Sequence, residues 1–159
     1  MKRIREKKMK IEYPFPLKNL TIRLKRGGCL GTCPVYELTI HGNGEVIYSG
    51  EYFVKEIGIR KDKISQSQIF TLFKYAMEIG FFELKSEYNT ENYYELDKSG
   101  MVQYSKGIIT DLPKYEVEIK IGNKKKKIVD YLGAPKRLRQ FENMIDRICK
   151  SERWIGQEN

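Results

Sequence analysis

The sequence predicts an α+β fold: an antiparallel sheet of about six strands with two helices packed on one face, in the order ββββ-α-ββ-α. Three observations predict it. Several short segments alternate between apolar and polar residues, which gives strands with one buried and one wet face. Two other segments place apolar residues at helical spacing. The aromatics are eleven Tyr and seven Phe against one Trp, a bias that suits a β-rich interior.

The elements follow in chain order. Residues 1–18 read as a flexible basic leader, because Pro14 and Pro16 bracket Phe15 and block regular structure. Leu20, Ile22 and Leu24 alternate with Thr21, Arg23 and Lys25, which is a half-buried strand. After a turn with two cysteines, Tyr36, Leu38 and Ile40 alternate with Glu37, Thr39 and His41. Gly42-Asn43-Gly44 is a hairpin turn, since Gly and Asn accept positive φ. Val46 to Tyr48 return, and Tyr52 to Ile59 form a fourth strand after the Ser49-Gly50 break.

Ser65 opens a helix, and Gln68 three residues on completes a capping box. Ile69, Phe70, Phe73, Ala76 and Met77 supply its apolar stripe. Gly80 ends it, and Phe81, Phe82 and Leu84 seal that end against the core. Residues 85–107 are irregular, polar and rich in Tyr and Glu, a functional loop or a disordered one. Tyr115, Val117, Ile119 and Ile121 then alternate with Glu116, Glu118 and Lys120; Gly122-Asn123 turns the chain, and Ile128 to Tyr131 pair back. Gly133-Ala134-Pro135 starts a last helix with Leu138, Phe141, Ile145 and Ile148 on its buried stripe. Residues 19–150 thus read as one α+β domain and 151–159 as a polar tail. A chain of 159 residues buries a sufficient core without staples.

The net charge of +9 is unevenly placed. Six basic side chains, Lys2, Arg3, Arg5, Lys7, Lys8 and Lys10, stand in the first ten residues with one acid, Glu6. Such an arm attracts polyanions without sequence choice, so these six are the candidate nucleic-acid contacts. Solvation of a free end explains the same charge. The four lysines Lys124 to Lys127 read as guards of an edge strand. No apolar run approaches a membrane span and no apolar leader follows the basic start. The expectation is therefore a cytoplasmic protein with no membrane partner, where thiols stay reduced.

The most informative stretch is Gly27-Gly28-Cys29-Leu30-Gly31-Thr32-Cys33-Pro34-Val35-Tyr36. Two thiols in a turn rich in glycine and closed by proline need a reason. A disulfide, a metal, a ligand-binding turn and tight packing all remain open. The residues also resemble a widespread bacterial domain family of unknown function, with the signature Gly-Cys-x-Gly-x-Cys-Pro-x-Tyr. Thr110-Asp111-Leu112-Pro113 and Asp130-Tyr131-Leu132-Gly133-Ala134-Pro135 extend the likeness over about residues 20–148. The resemblance implies a common fold and no assigned activity. Many relatives are exported whereas this chain shows no signal segment, and its 85–107 connection is longer.

Redox-active pairs have two residues between thiols and open a helix that lowers the attacking thiol's pKa; here three intervene and a strand follows. A zinc site needs four ligands, and Cys29, Cys33, His41 and Cys149 are the soft candidates. His41 lies in phase with a wet strand face, Cys149 reads as a buried thiol, and the spacing fits no zinc pattern. No metal or cofactor is expected. The turn lacks the lysine and following helix of a phosphate loop. Glu83, Glu87, Glu91, Glu95 and Asp97 surround the long connection without a partner histidine, so they read as solvated. Asp111 stands before Leu-Pro with its backbone held extended or turned, where its carboxylate can accept N–H groups from a neighbouring turn such as the cysteine turn, a structural role rather than a catalytic one.

The candidate binding residues are thus Cys29, Gly31, Cys33, Tyr36 and Asp111. The reading is a small binding or accessory domain, not an enzyme, that presents the Cys/Gly turn and the long connection to a protein partner. Two alternatives stand beside it: a thiol-redox protein using Cys29 and Cys33, and a non-specific nucleic-acid binder using its basic arm.

Overall fold

The computed structural model describes residues 9–89, 91–107 and 112–156. The alternating segments form β1 (Leu20–Arg26), β2 (Val35–His41), β3 (Glu45–Tyr52), β4 (Gly58–Lys63), β5 (Glu87–Asn89), β6 (Glu91–Leu96), β7 (Val102–Gly107), β8 (Tyr115–Ile121) and β9 (Lys124–Leu132). Seven of them make one sheet in the order β4-β3-β2-β1-β8-β9-β5, while β6 and β7 form a ribbon of their own. Every pair in the large sheet is antiparallel except β5 with β9. The helices are α1 (Gln66–Glu78), α2 (Lys136–Cys149) and the short α3 (Glu152–Ile155). This is the expected α+β architecture, with more strands and one more helix than the sequence pattern shows. Among the described residues no helix is long and apolar enough to cross a membrane.

Register explains the core. Ile22 stands opposite Ile40 on one side and Ile119 on the other; Leu24 stands between Leu38 and Val117. These residues share one face, which packs against Ile69, Leu72, Phe73 and Ala76 of α1 and Leu138, Phe141 and Ile145 of α2. Each of these side chains except Ala76 contributes about 1.5–3 kcal/mol on burial. On the opposite face the alternation leaves charges, and Arg23 of β1 reaches Glu37 at 3.2 Å and Glu116 at 3.5 Å across both neighbouring strands. Ser65 caps α1 with the expected box, its hydroxyl accepting from the Gln68 N–H. Gly80 follows in the left-handed region at φ 68°.

Several expectations are corrected. The strand expected over Tyr52 to Ile59 is two pieces: β3 runs on to Tyr52, and β4 starts at Gly58. Between them the chain reverses, with Phe53 at φ 54° and Gly58 at φ 92°. On α1 the stripe runs Ile69, Leu72, Phe73 and Ala76, so Leu72 is inside and Phe70 is 51% exposed. Phe70 sits about 100° around the helix from Ile69, which turns it off the buried stripe. The 85–107 connection is β5 plus the β6–β7 ribbon; its Asp97-Lys98-Ser99-Gly100 turn joins two strands whose residues read as merely polar. Residues 151–156 of the expected polar tail hold α3, whose Trp154 is buried and stacks on Tyr48 at 5.0 Å. Met9, Ile11, Phe15 and Leu17, within the expected leader, are partly buried against the core.

Candidate functional site

β1 carries its apolar phase through Leu20, Ile22 and Leu24 to Arg26, so the sheet's inner face ends in a guanidinium. Tyr36 is its partner in the β1–β2 register and Tyr115 in the β1–β8 register. The guanidinium lies 4.4 Å from the centre of the Tyr115 ring. α2 brings Asp146 against it: Arg26 donates from Nε at 3.2 Å and from Nη2 at 2.7 Å to Oδ2. The other carboxylate oxygen accepts from the Tyr36 hydroxyl at 2.6 Å and from the Ser151 hydroxyl at 2.6 Å. Asn143 accepts a further Arg26 bond at 3.0 Å. Burial alone would weaken the hold of Arg26 on its proton, but Asp146, Tyr36 and Glu142 outweigh it and push its pKa up. Burial, then the Asp146 carboxylate, push the Tyr36 phenol up as well.

This network floors an open groove of about 1610 Å³. Cys33 and Pro34 line one wall, Pro113 and Tyr115 another, and the end of α2 the third, with Arg147 and Lys150 exposed at the rim. Lys150 closes α2 in the left-handed conformation at φ 53°, a position where glycine is usual. Arg153 pairs with Asp62 and lies 4.0 Å over the Trp154 ring.

Behind the groove, away from solvent, two carboxyl groups meet. Asp130 of β9 and Glu142 of α2 are both 0% exposed. Neither accepts a hydrogen bond from an N–H or hydroxyl among the described residues. Their nearest cations stand off, Arg139 at 3.6 Å from Asp130 and Arg26 at 3.6 Å from Glu142. Two unsolvated carboxylates cannot both stay charged in contact, so one holds a proton that it shares with the other. Burial first, and then Asp130, raise Glu142 to about 9.

The cysteine turn is closed by a disulfide, Cys29 to Cys33, with Cα atoms 5.7 Å apart. That joins two of the four candidate zinc ligands to each other. His41 lies at the far end of β2 from Cys33, and Cys149 is buried in α2 with its thiol pushed up by burial to about 12. The four do not converge. Gly27 before the turn is needed for close approach: its N–H donates to the Lys114 carbonyl at 2.7 Å, and a Cβ would lie 2.5 Å from that oxygen. Gly31 is different, since a Cβ there would meet only the Cys29 sulfur, at 3.9 Å.

The expected site residues therefore separate. Cys29, Gly31 and Cys33 share the turn, and Tyr36 lies beneath it in the floor of the groove. Asp111, and Lys2, Arg3, Arg5, Lys7 and Lys8 of the arm, lie outside the described residues. Lys10 is exposed, and its carbonyl accepts from the Lys124 amine. Lys126, from the lysine run, donates to the Leu84 carbonyl at 2.6 Å. Arg26, Asp130, Glu142 and Asp146 were not singled out by sequence reasoning. A signal existed for the first two: each is a charge in phase with the apolar side of its strand.

The chain belongs to the family described as Domain of unknown function (DUF6438), whose model matches residues 20–149. Arg26, Cys33, Tyr36, Asp130, Glu142 and Asp146 lie inside the matched span, and the rim from Lys150 to Arg153 lies outside it. No curated protein matches the chain.

Proposed function

We propose that this chain is a binding domain, not an enzyme, and that a protein partner docks in the groove beside the Cys29–Cys33 turn. One observation carries the reading: the floor of the groove is already fully bonded. Both Asp146 oxygens are taken, by Tyr36 and Ser151 on one side and Arg26 on the other. A carboxylate held in this way is a fixed platform, not a general base waiting for a substrate proton. The walls and rim offer what a partner needs: a covalently tied turn with Leu30 83% exposed, and the exposed cations Arg147 and Lys150. A pre-shaped wall lowers the ordering cost of association.

The reading is tested with a photo-cross-linking residue at Leu30 and, as a control, at Lys61 on β4. The expected outcome is a protein adduct formed from Leu30 and lost when Arg147 and Lys150 are both changed to Glu. Equal adducts from both positions, or an adduct indifferent to the charge reversal, overturn it.

A second reading, thiol–disulfide exchange, is favoured by the place of the bond: it lies in a surface turn and Cys33 lines the groove. A cytoplasmic location, the sequence expectation, would keep both thiols reduced, whereas a closed bond suits an oxidising compartment. Differential alkylation in the host cell separates these. A Cys33 thiol that alkylates far faster than an ordinary thiol at neutral pH supports exchange; a permanently closed bond supports the structural role.

A further inference from the structure

We propose that the groove recognises an acidic, extended stretch of its partner, with carboxylates at alternate residues; this rests on the reading of the groove as a protein-docking site. Gln140, Asn143, Arg147 and Lys150 all line it. Their spacing sets them in one row along α2 and its cap. Each carries side-chain N–H donors. The orientation of Asn143 is chemically forced. A guanidinium can only donate, so the atom that meets Arg26 at 3.0 Å is the side-chain oxygen, and the NH2 end is left to the groove. The oxygen of Gln140 accepts in the same way from the Tyr75 hydroxyl at 3.2 Å.

Charge runs the same way. Among the described lining residues Arg26, Arg147, Lys150 and Arg153 are cations, and Asp146 and Glu152 are acids. Asp146 is saturated, with Arg26 on one oxygen and Tyr36 and Ser151 on the other. Arg153 is engaged by Asp62. Arg147 and Lys150 are exposed and form no ion pair among the described residues. The last carbonyls of α2, which would repel an anion, are already bonded: that of Asp146 accepts from the Ser151 N–H at 3.1 Å and that of Arg147 from the Lys150 N–H at 3.2 Å. A basic segment would therefore meet repulsion and the single acid Glu152. An acidic one meets two unpaired cations and an amide.

Spacing sets the pattern of the segment. From Asn143 to Arg147 the helix advances by about 6 Å, at about 1.5 Å per residue. Side chains two residues apart on one face of an extended strand stand about 6.6–6.8 Å apart. An acid-x-acid stretch lying along α2 therefore sets one carboxylate on the Asn143 amide and the next on Arg147, whose planar fork can hold both oxygens. The intervening residue points away from α2, so its identity matters less. Lys150 stands one turn further on, within the same row.

The test is fluorescence polarisation of the full chain with a short labelled peptide carrying Glu at alternate positions. It is acetylated and amidated, so that only side chains carry charge, and its Gln counterpart is the control. The Glu peptide should bind about tenfold more tightly than the Gln peptide, as hydrogen bonds to charged groups imply. Added salt should weaken it. Arg147→Gln with Lys150→Gln should weaken it by about tenfold. Lys136→Gln with Arg137→Gln, the same loss of charge at the far end of α2, should change it less than about twofold. Asn143→Asp still accepts from Arg26 but donates nothing, and should weaken binding severalfold with an unchanged melting temperature. No preference for Glu over Gln overturns the proposal; a Leu30 adduct that charge reversal still abolishes would then keep the docking reading without it. A lost adduct with the preference intact overturns docking beside the turn and keeps the acidic row. Equal weakening by the two double variants overturns the proposal, because the attraction then belongs to the basic chain as a whole. So does an oligonucleotide of equal charge that binds the row more tightly, which assigns it to phosphates.

Discussion

Glu142 and Asp146 lie one turn apart on α2 and face the same guanidinium, yet they occupy opposite environments. Asp146 stands at the groove, 2.7 Å from Arg26, with hydroxyls of Tyr36 and Ser151 on its second oxygen. Glu142 lies on the core side, 3.6 Å from Arg26 and against Asp130, with no N–H or hydroxyl donor among the described residues. Distance to a shared cation differs by less than 1 Å, from 3.6 Å to 2.7 Å. What differs more is the supply of donors. Desolvation penalises both charges, and only hydrogen bonds to the charged form offset it. The core side therefore favours a proton on Glu142.

The largest effect should come from removing the anion on the groove side. Asp146→Ala leaves Arg26 charged and buried and strips the partners of Tyr36 and Ser151. Losing one member of a buried pair costs about 3–5 kcal/mol. Denaturant unfolding should show that loss without a change in slope. A cost below about 1 kcal/mol would mean that Arg26 is solvated and the two sides are not different.

The core side should respond in the opposite direction. Glu142 binds its proton in the folded state up to about 9, against an ordinary value of 4.5. Between those values the folded state holds more protons than the unfolded state, so stability falls as pH rises, by up to about 1.4 kcal/mol per pH unit. Below that window the group is neutral in both states and the cost vanishes. Glu142→Gln keeps the shape and supplies an amide N–H where the shared proton sat. It should match the parent at acid pH and exceed it in stability at neutral and higher pH, with the gap widening as pH rises. Parallel melting curves with a constant gap across that range would show that Glu142 is ionised after all.

Tyr36→Phe probes the comparison more gently. It deletes one donor to Asp146 but keeps the ring against Tyr48, 5.8 Å between centres. A hydrogen bond to a charged group contributes about 1.5–3 kcal/mol. Ser151 and Arg26 remain as partners, so the loss should sit at the low end and stay constant from neutral to mildly alkaline pH. Thermal melts at two pH values measure both points.

How much of this was legible in the sequence depends on which forces act locally. The strands at Leu20–Leu24, Tyr36–Ile40 and Tyr115–Ile121 could be read because alternation records a half-buried sheet directly. The Ser65 box and Gly80 could be read because caps are local chemistry. The β6–β7 ribbon could not, because its wet and apolar faces are both exposed and its pattern resembles a loop. Trp154 could not, because it fills a gap beside Tyr48 that only the folded chain creates. The cysteine turn stood out by composition, but its closure by a bond depends on the path between β1 and β2. Arg26 and Asp130 broke the apolar phase of their strands, a mark that was visible and unused. Glu142 and Asp146 carried no mark, since a helix stripe bordered by acids is ordinary.

The smallest effect separates stability from titration. Arg139 is half exposed and lies 3.6 Å from Asp130, whereas Arg26 lies 3.6 Å from Glu142. Solvent screens such a cation, so Arg139→Gln should change stability at mildly acid pH by less than about 1 kcal/mol. Its field nevertheless lowers the proton affinity of Glu142, as does that of Arg26. Without it the folded-state pKa of Glu142 rises further, while the unfolded value is unaffected. The window in which the folded state holds the extra proton then extends to higher pH. The decline in stability should therefore continue further into the alkaline range in the variant than in the parent, even though the two agree near pH 5. Combining Arg139→Gln with Glu142→Gln should remove the difference, because the titrating group is gone. If the single variant loses stability equally at all pH values, Arg139 acts only through packing, and the acid pair is insulated from the charge at its open side.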